Sequence, residues 1–156
     1  MTSVDFYILP SEHESSFRNF VCKIVEKSYN RYPRTVLLVD NLDDARLFDD
    51  LLWTFRQGSF IPHGMGDSPA LSDVPPVHIA TSRSDTTGAA NVLVNVSSVL
   101  PSAPANYDRI IEIVDKHPTR RTQGRDRYRH YRELGLSLET HDLSRQSASL
   151  DANNNY

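Results

Sequence analysis

The chain has 156 residues, of which 38% are hydrophobic and 24% charged, and these values fit one soluble globular domain. A single cysteine, Cys22, excludes an intrachain disulfide and a cysteine-ligated zinc site, and the formal net charge of −3 argues against a general nucleic-acid binder. No apolar run approaches the roughly 20 residues of a membrane span, and Asp5 and Glu12 stand where a secretory signal would be basic. We therefore expect a cytoplasmic protein that makes no membrane contact.

The first third of the chain predicts two strands, each followed by a helix. Residues 4–9 alternate and are rich in β-formers, and Ser11 with Glu14 predicts a capping box that begins a helix running to about Tyr29. The apolar run 35–40 predicts a strand covered on both faces, and Asn41 is expected to cap a second helix. The residues expected to face the core are Phe17, Phe20, Val21, Ile24, Val25 and Ser28 in the first helix, and Ala45, Phe48, Leu52 and Phe55 in the second.

The remainder predicts further strands and helices. Residues 58–76 are typical of a long loop, 77–82 and 91–97 of strands, 106–115 of a helix, and 136–140 of a last short strand. A basic helix is expected before Gly135, which ends it. Strands that alternate with helices predict one three-layer α/β domain over residues 1–143, with a mostly parallel sheet. The polar segment 144–156 is predicted to be disordered.

The basic helix concentrates positive charge. Seven Lys or Arg residues and one acid lie between Lys116 and Arg132, so this segment carries +6 and the rest of the chain sums to −9. A helical stripe with spacing i, i+3, i+4 and i+7 is formed by Arg125, Tyr128, Arg129 and Arg132. Tyr131 and Leu134 are expected to anchor the opposite side. One interpretation is a solvated face; the other is a site for an anionic partner, favoured because Arg grips carboxylates and phosphates in a bidentate fork.

Sequence motifs for catalysis are not found. There is no G-x-G-x-x-G after the first two strands, no P-loop and no G-x-S-x-G. His63 and His78 have no companion ligand at i+4 spacing, and an isolated histidine in such a context is more often structural. We therefore expect no catalytic residue, no cofactor and no metal ion.

Five segments carry a resemblance to a known family: DFYIL (5–9), LLVDNLDDARLFDDLLWTF (37–55), SFIPH (59–63), PVHIATS (76–82) and RDRYRHYRELGLSLETH (125–141). Together they resemble the chi subunit of bacterial DNA polymerase III holoenzyme, in the same order over about residues 4–143. The resemblance implies a single Rossmann-like domain that is a non-catalytic accessory subunit in DNA replication. It also implies binding to the acidic, hydrophobic C-terminal tail of single-stranded-DNA-binding protein, hence indirect contact with single-stranded DNA, and in some bacteria docking onto the psi subunit of the clamp loader.

The resemblance assigns two groups of residues. The expected tail site contains Arg125, Tyr128, Arg129 and Arg132, with Arg121 near its edge, while Lys116 and His117 stand where the family pattern has apolar residues. The expected clamp-loader surface contains Trp53, Phe60, Ile61 and His63; the alternative for the two aromatic residues is an ordinary place in the core. An alternative function for the Arg/Tyr helix is direct binding of single-stranded nucleic acid, with Tyr128 stacking on a base.

Overall fold

The computed structural model describes residues 2–56, 58, 60–65, 76–81 and 90–143, so the prediction for 144–156 lies outside the described residues. In chain order the elements are β1 (Ser3–Ile8), α1 (Glu14–Arg31), β2 (Thr35–Val39), α2 (Leu42–Thr54), β3 (His63–Met65), β4 (Val77–Thr81), β5 (Val92–Asn95), β6 (Arg109–Val114), α3 (Pro118–Glu133) and β7 (Ser137–Asp142). A short 3₁₀ turn, Pro104–Asn106, precedes β6.

The strands form one seven-stranded sheet with the order β3-β4-β2-β5-β6-β1-β7, and every pairing in it is parallel. Alternate side chains of β2 face opposite sides of the sheet: Leu37 and Val39 pack with α1 and α2, whereas Val36 and Leu38 belong to the core beneath α3. The molecule is therefore a three-layer α/β domain, which confirms the predicted fold class.

The two helices on the first face follow the predicted apolar stripes. All six predicted core residues of α1 are buried, as are Ala45, Phe48 and Leu52 of α2, while Phe55 is half-buried against them. Asn41 caps α2 as expected, since its side chain accepts a hydrogen bond of 2.9 Å from the Asp44 amide. The predicted capping box at the start of α1 is wrong, because His13 and not Ser11 is the N-cap residue. The Ser11 hydroxyl accepts a hydrogen bond from the His13 amide.

Two segments differ from their predicted structure. Residues 106–115 do not form a helix, because Arg109–Val114 is strand β6, hydrogen-bonded between β5 and β1 with all but its first residue buried. Within the predicted loop 58–76, His63–Met65 forms a strand that pairs with β4 at the edge of the sheet, whereas residues 59 and 66–75 lie outside the described residues. In both places, long-range pairing decides the structure of a short segment whose local pattern is ambiguous.

None of the described helices has the length and apolarity needed to cross a membrane.

A candidate binding cavity beside α3

Helix α3 has well-defined ends. Pro118 occupies the first turn, where a missing amide hydrogen has no consequence, and His117 is the N-cap residue. At the other end Gly135 has a positive φ of 79°, which lets its amide and that of Leu136 bond back to the carbonyls of Arg132 and Tyr131. This is a Schellman motif, and it confirms that Gly135 ends the helix.

A buried polar cluster fixes α3 to the sheet. Glu112 of β6 is fully buried; its carboxylate accepts a hydrogen bond of 2.9 Å from Arg127 Nε, one of 2.7 Å from the Tyr131 hydroxyl and one of 2.9 Å from Asn95. Burial raises the pKa of Glu112, and the adjacent Arg127 guanidinium opposes that shift. Because Arg127 and Tyr131 are four residues apart, the cluster sets the rotation of the helix about its own axis.

The close approach of α3 to β6 also depends on a glycine. A Cβ atom at Gly124 would lie 2.5 Å from Cγ1 of Val114, a distance that real side chains do not reach.

The two residues predicted to anchor α3 differ in the structure. Tyr131 is buried as predicted, but Leu134 is 56% exposed, so its predicted anchoring role is wrong. Leu134 is the C-cap residue, at the very end of the helix.

Two arginines of the basic segment belong to the fold. Arg127 is paired with Glu112, and Arg120 bonds to Asp115 and Glu14 while its guanidinium lies 4.0 Å from the centre of the Phe17 ring. The arginines predicted for the binding stripe are exposed instead: Arg121, Arg125, Arg129 and Arg132. Fewer arginines of α3 are therefore available to a ligand than the number of basic residues in the sequence suggests. The exposed arginines lie on one outward face of the helix.

A cavity of about 380 Å³ opens next to this face. Apolar side chains of β1, of the residue that follows it and of β6 line it, all of them buried except the half-buried Ile8. Half-buried Tyr128 lies on the α3 side, and the cationic residues Lys116, Arg121 and Arg125 stand around the cavity. Its complete apolar lining is Phe6, Ile8, Leu9 and Val114, and its acidic lining is Asp115 and Asp142. The border of this apolar slot thus carries three cationic groups and two carboxylates, of which Asp115 is already paired with Arg120. An apolar slot with an excess of positive charge at its border suits a ligand that carries both a ring and a carboxylate.

The position of the cavity follows from the sheet topology. It lies at the carboxyl ends of β6, β1 and β7, which are consecutive in the sheet. The connections of β1 and β6 lead to opposite faces of the sheet, β1 to α1 and β6 to α3. Such a switch point leaves a crevice outside the strand ends, and it is the usual ligand position in parallel α/β sheets.

The predicted tail-site residues divide into two groups in the structure. Arg121, Arg125 and Tyr128 line the cavity, and Tyr128 is held there by an edge-to-face contact with Phe6 at 5.2 Å between ring centres. Arg129 and Arg132 are exposed on the same helix and lie outside the lining; Arg129 forms a solvent-exposed pair of 3.3 Å with Asp126. Lys116 lines the cavity, whereas His117 faces the other side of α3.

The second predicted surface consists of two exposed aromatic side chains. Trp53 is 46% exposed and Phe60 67%, with ring centres 5.4 Å apart, so the alternative that they are core residues is wrong. Ile61 is buried and does not present its side chain to solvent. The His63 side chain is also buried, bonded to the Ile61 and Asp49 carbonyls, and its ring supports Trp53 from 4.4 Å.

Sequence reasoning identified Tyr131 as an anchor of α3 but missed Glu112 and Arg127, which complete the buried cluster that positions the helix. A lone Glu within the apolar run RIIEIV is a signal for a buried ion pair, since an uncompensated carboxylate is not stable in a core. The apolar lining could not be read from the α3 segment, because β1 is more than 100 residues away in the chain.

Comparison with known proteins gives a consistent set of relatives. The family model described as "DNA polymerase III chi subunit, HolC" matches residues 1–139. The DNA polymerase III subunit chi of Pseudomonas aeruginosa is 32% identical over 146 residues, which cover 93% of this chain and 99% of that protein. The corresponding Escherichia coli subunit is 23% identical over 145 residues, which cover 90% and 97% of the two chains.

Among solved structures, Saccharomyces cerevisiae Dbp5 bound to RNA and ADP–BeF₃ superposes with a TM-score of 0.59 at 11% identity, and Dbp5 bound to Gle1 and IP6 with 0.57 at 10%. The alignments cover 94% and 95% of this chain but less than half of each Dbp5 chain, 43% and 45%. At such low identity the likeness concerns the α/β fold alone.

Proposed function

Since this chain belongs to the DNA polymerase III chi subunit family, we propose that it is a non-catalytic accessory subunit that binds the acidic C-terminal tail of single-stranded-DNA-binding protein and links it to the clamp loader. The observation that carries the proposal is the cavity beside α3, where an apolar slot meets the exposed arginines of one helix face.

The chemistry of such a tail matches the lining of the cavity. A peptide that ends in acidic residues and an aromatic residue presents one ring, a free α-carboxylate and several mobile carboxylates. The ring fits the slot between Phe6, Val114 and Tyr128, and the α-carboxylate requires a guanidinium at the mouth of that slot. The remaining acids meet the diffuse positive charge of Arg129 and Arg132 farther along the helix.

Arg125 is the residue best placed to hold the α-carboxylate. It lines the cavity three residues before Tyr128, and within the described part of the chain no acidic group forms an ion pair with it. Arg129 follows Tyr128 directly, but it lies outside the lining and is already paired with Asp126. A charge-assisted, partly desolvated contact contributes roughly 1.5–3 kcal/mol, whereas an exposed pair contributes about 0–1 kcal/mol. We therefore expect unequal contributions from these two arginines.

Conservative substitution tests this assignment. Arg125→Lys keeps the charge but not the planar fork, so it should weaken binding of a fluorescent tail peptide by about tenfold or more, whereas the matched control Arg129→Lys changes affinity by less than about fivefold. Amidating the peptide's C-terminus should weaken wild-type binding as much as Arg125→Lys does, and should have almost no further effect on that variant. Fully additive effects would contradict a shared contact, because two changes cannot each remove it.

Binding of the fluorescent tail peptide, measured at several salt concentrations, distinguishes a peptide-binding site from a nucleic-acid-binding site. Affinity for the tail peptide should decrease with ionic strength, because the Debye length is only about 8 Å at 0.15 M salt and the cationic residues are exposed. A single-stranded oligonucleotide that displaces the peptide, together with insensitivity to amidation, would favour direct nucleic-acid binding.

A second surface supports the clamp-loader part of the proposal. Trp53 and Phe60 form an exposed aromatic pair on the α2 side, away from the α3 cavity, and exposed aromatic residues are typical anchors of protein interfaces. Replacing both by Ala should weaken binding to a psi-type partner by at least tenfold and leave tail-peptide affinity unchanged. Because both side chains are exposed, melting temperatures by circular dichroism should stay close to wild type. A large loss of stability would instead assign the pair a structural role.

A further inference from the structure

We propose that Asp5, Glu139 and His141 form a Zn²⁺ site on the face of the sheet opposite α3. The site is independent of the peptide cavity, which lies at the strand ends. Each of the three residues offers one ligand atom, and these atoms all lie within 4.8 Å of one another.

Strand register brings the ligands together. β1 and β7 are paired in parallel, with Asp5 opposite Glu139 and Tyr7 opposite His141. Since side chains two residues apart share a face, Glu139 and His141 project from β7 on the side to which Asp5 projects from β1. The three ligands therefore come from two neighbouring strands and need no loop to adjust its path.

The spacing of two of the ligand atoms suits tetrahedral Zn²⁺. His141 Nε2 and Asp5 Oδ1 are 3.1 Å apart. Zinc bonds of about 2.0–2.2 Å at tetrahedral angles separate adjacent ligand atoms by roughly 3.3 Å, so these two atoms already have nearly the required spacing. In the absence of metal the imidazole and the carboxylate hydrogen-bond to each other; Zn²⁺ would replace the proton between them.

Contacts around the site hold two of the ligands in place. The His141 ring stacks on Tyr7, with ring centres 4.6 Å apart and planes 18° apart. Arg109 bonds to Asp5 Oδ2 at 2.5 Å, which leaves Oδ1 as the ligand oxygen of this buried carboxylate. Such outer contacts fix ligand orientation in metal sites, and only the exposed Glu139 side chain has to become ordered on binding.

The donor set and its charge favour zinc over alkaline-earth cations. One imidazole and two carboxylates match Zn²⁺, whereas Mg²⁺ and Ca²⁺ need about six or more oxygen ligands. Arg109 offsets the charge of Asp5, so the cluster with neutral His141 has a net charge of −1. Three protein ligands leave one position for water. Bound zinc would link β7 to β1, its partner in the described sheet. It would thereby stabilise the β6–α3–β7 connection, which contains α3.

Calorimetric titration of the tag-free, EDTA-treated protein with Zn²⁺ alone tests the site. We expect one equivalent to bind, and saturation to raise the melting temperature by several degrees, because the metal binds the folded state. His141→Ala and Glu139→Gln should each weaken that binding at least tenfold. Glu139 is exposed, so its variant retains the fold, and His13→Ala, which removes an exposed histidine outside the cluster, serves as the matched control.

Two outcomes would overturn the proposal. One is Zn²⁺ affinity in the wild type no higher than in Glu139→Gln and His141→Ala, which would place the metal on other surface groups. The other is an equal thermal shift with Mg²⁺, which would show a general charge effect. Cobalt substitution adds a geometric readout: tetrahedral Co²⁺ absorbs strongly in the visible range, and we expect this absorption in the wild type and not in His141→Ala.

Discussion

Replacing Arg127 by Met removes the cation of the buried cluster while keeping a long, helix-compatible side chain. In the wild type the Arg127 side chain is 6% exposed and pairs with the fully buried Glu112. Without it the Glu112 carboxylate retains hydrogen bonds from Tyr131 and Asn95 but has no compensating charge. Breaking a buried pair by removing one partner costs about 3–5 kcal/mol of stability. For a domain of this size we expect the melting temperature to fall by roughly 6–20 °C.

The pH dependence of this loss identifies its cause. Burial raises the pKa of Glu112, and removing the opposing Arg127 raises it further. In the unfolded chain the pKa of a Glu carboxyl is about 4.3. When the pKa in the folded protein is higher, the free energy of unfolding decreases as the pH rises from the unfolded-state pKa to the folded-state pKa. The difference between wild type and Arg127→Met, measured by urea denaturation, should therefore shrink from about pH 8 to about pH 5.

Two comparisons complete this experiment. Arg129→Met makes the same substitution on an exposed face of α3, and we expect it to change stability by no more than about 0.5 kcal/mol. Adding Glu112→Gln to Arg127→Met removes the uncompensated charge and should recover part of the loss at neutral pH. A loss below about 1 kcal/mol, or one that is the same at every pH, would refute the reasoning, because it would show that Glu112 does not need a buried cation.

Two further predictions concern other buried positions. Burial raises the pKa of the Cys22 thiol to about 12, so we expect it to resist alkylation by iodoacetamide at mildly alkaline pH, with modification following the unfolded fraction across a denaturant titration. Gly124→Ala should cost about 1–3 kcal/mol through overpacking against Val114 and should weaken tail-peptide binding by shifting α3. Combining Gly124→Ala with Val114→Ala, which makes room for the new methyl group, should restore part of both properties; no recovery would show that the contact is not the cause.

The general fold could be predicted from the sequence because the central strands and the helices have distinct patterns. The run TVLLV is buried throughout as β2, and the apolar stripe of α1 is buried at every predicted position. The error at β6 arose because Tyr107, Ile110, Ile111 and Val114 satisfy helical spacing as well as an apolar strand does. Pairing with β5 and β1, which local sequence does not encode, selects the strand.

The candidate site was only partly predictable for a related reason. Helical spacing identifies which side chains share a face of α3, but it does not identify their partners. The acid that pairs with Arg120 across the fold, Glu14, is 106 residues away, so a count of basic residues overstates the charge available to a ligand. The apolar lining from β1 is equally remote, and no property of the α3 segment indicates Phe6 or Ile8.

The position of β1 inside the sheet has a consequence for biosynthesis. Ser3 pairs with Arg109 on one side and with Ser137 on the other, so β1 is synthesised more than 100 residues before either neighbour. At about 5–20 residues per second, a nascent chain keeps both edges of β1 unpaired for roughly 5–20 s. The cavity combines residues from β1 with residues up to Asp142, and so it assembles only when the α/β domain is almost fully translated. Chains still on the ribosome would thus be unable to compete with finished subunits for the ligand.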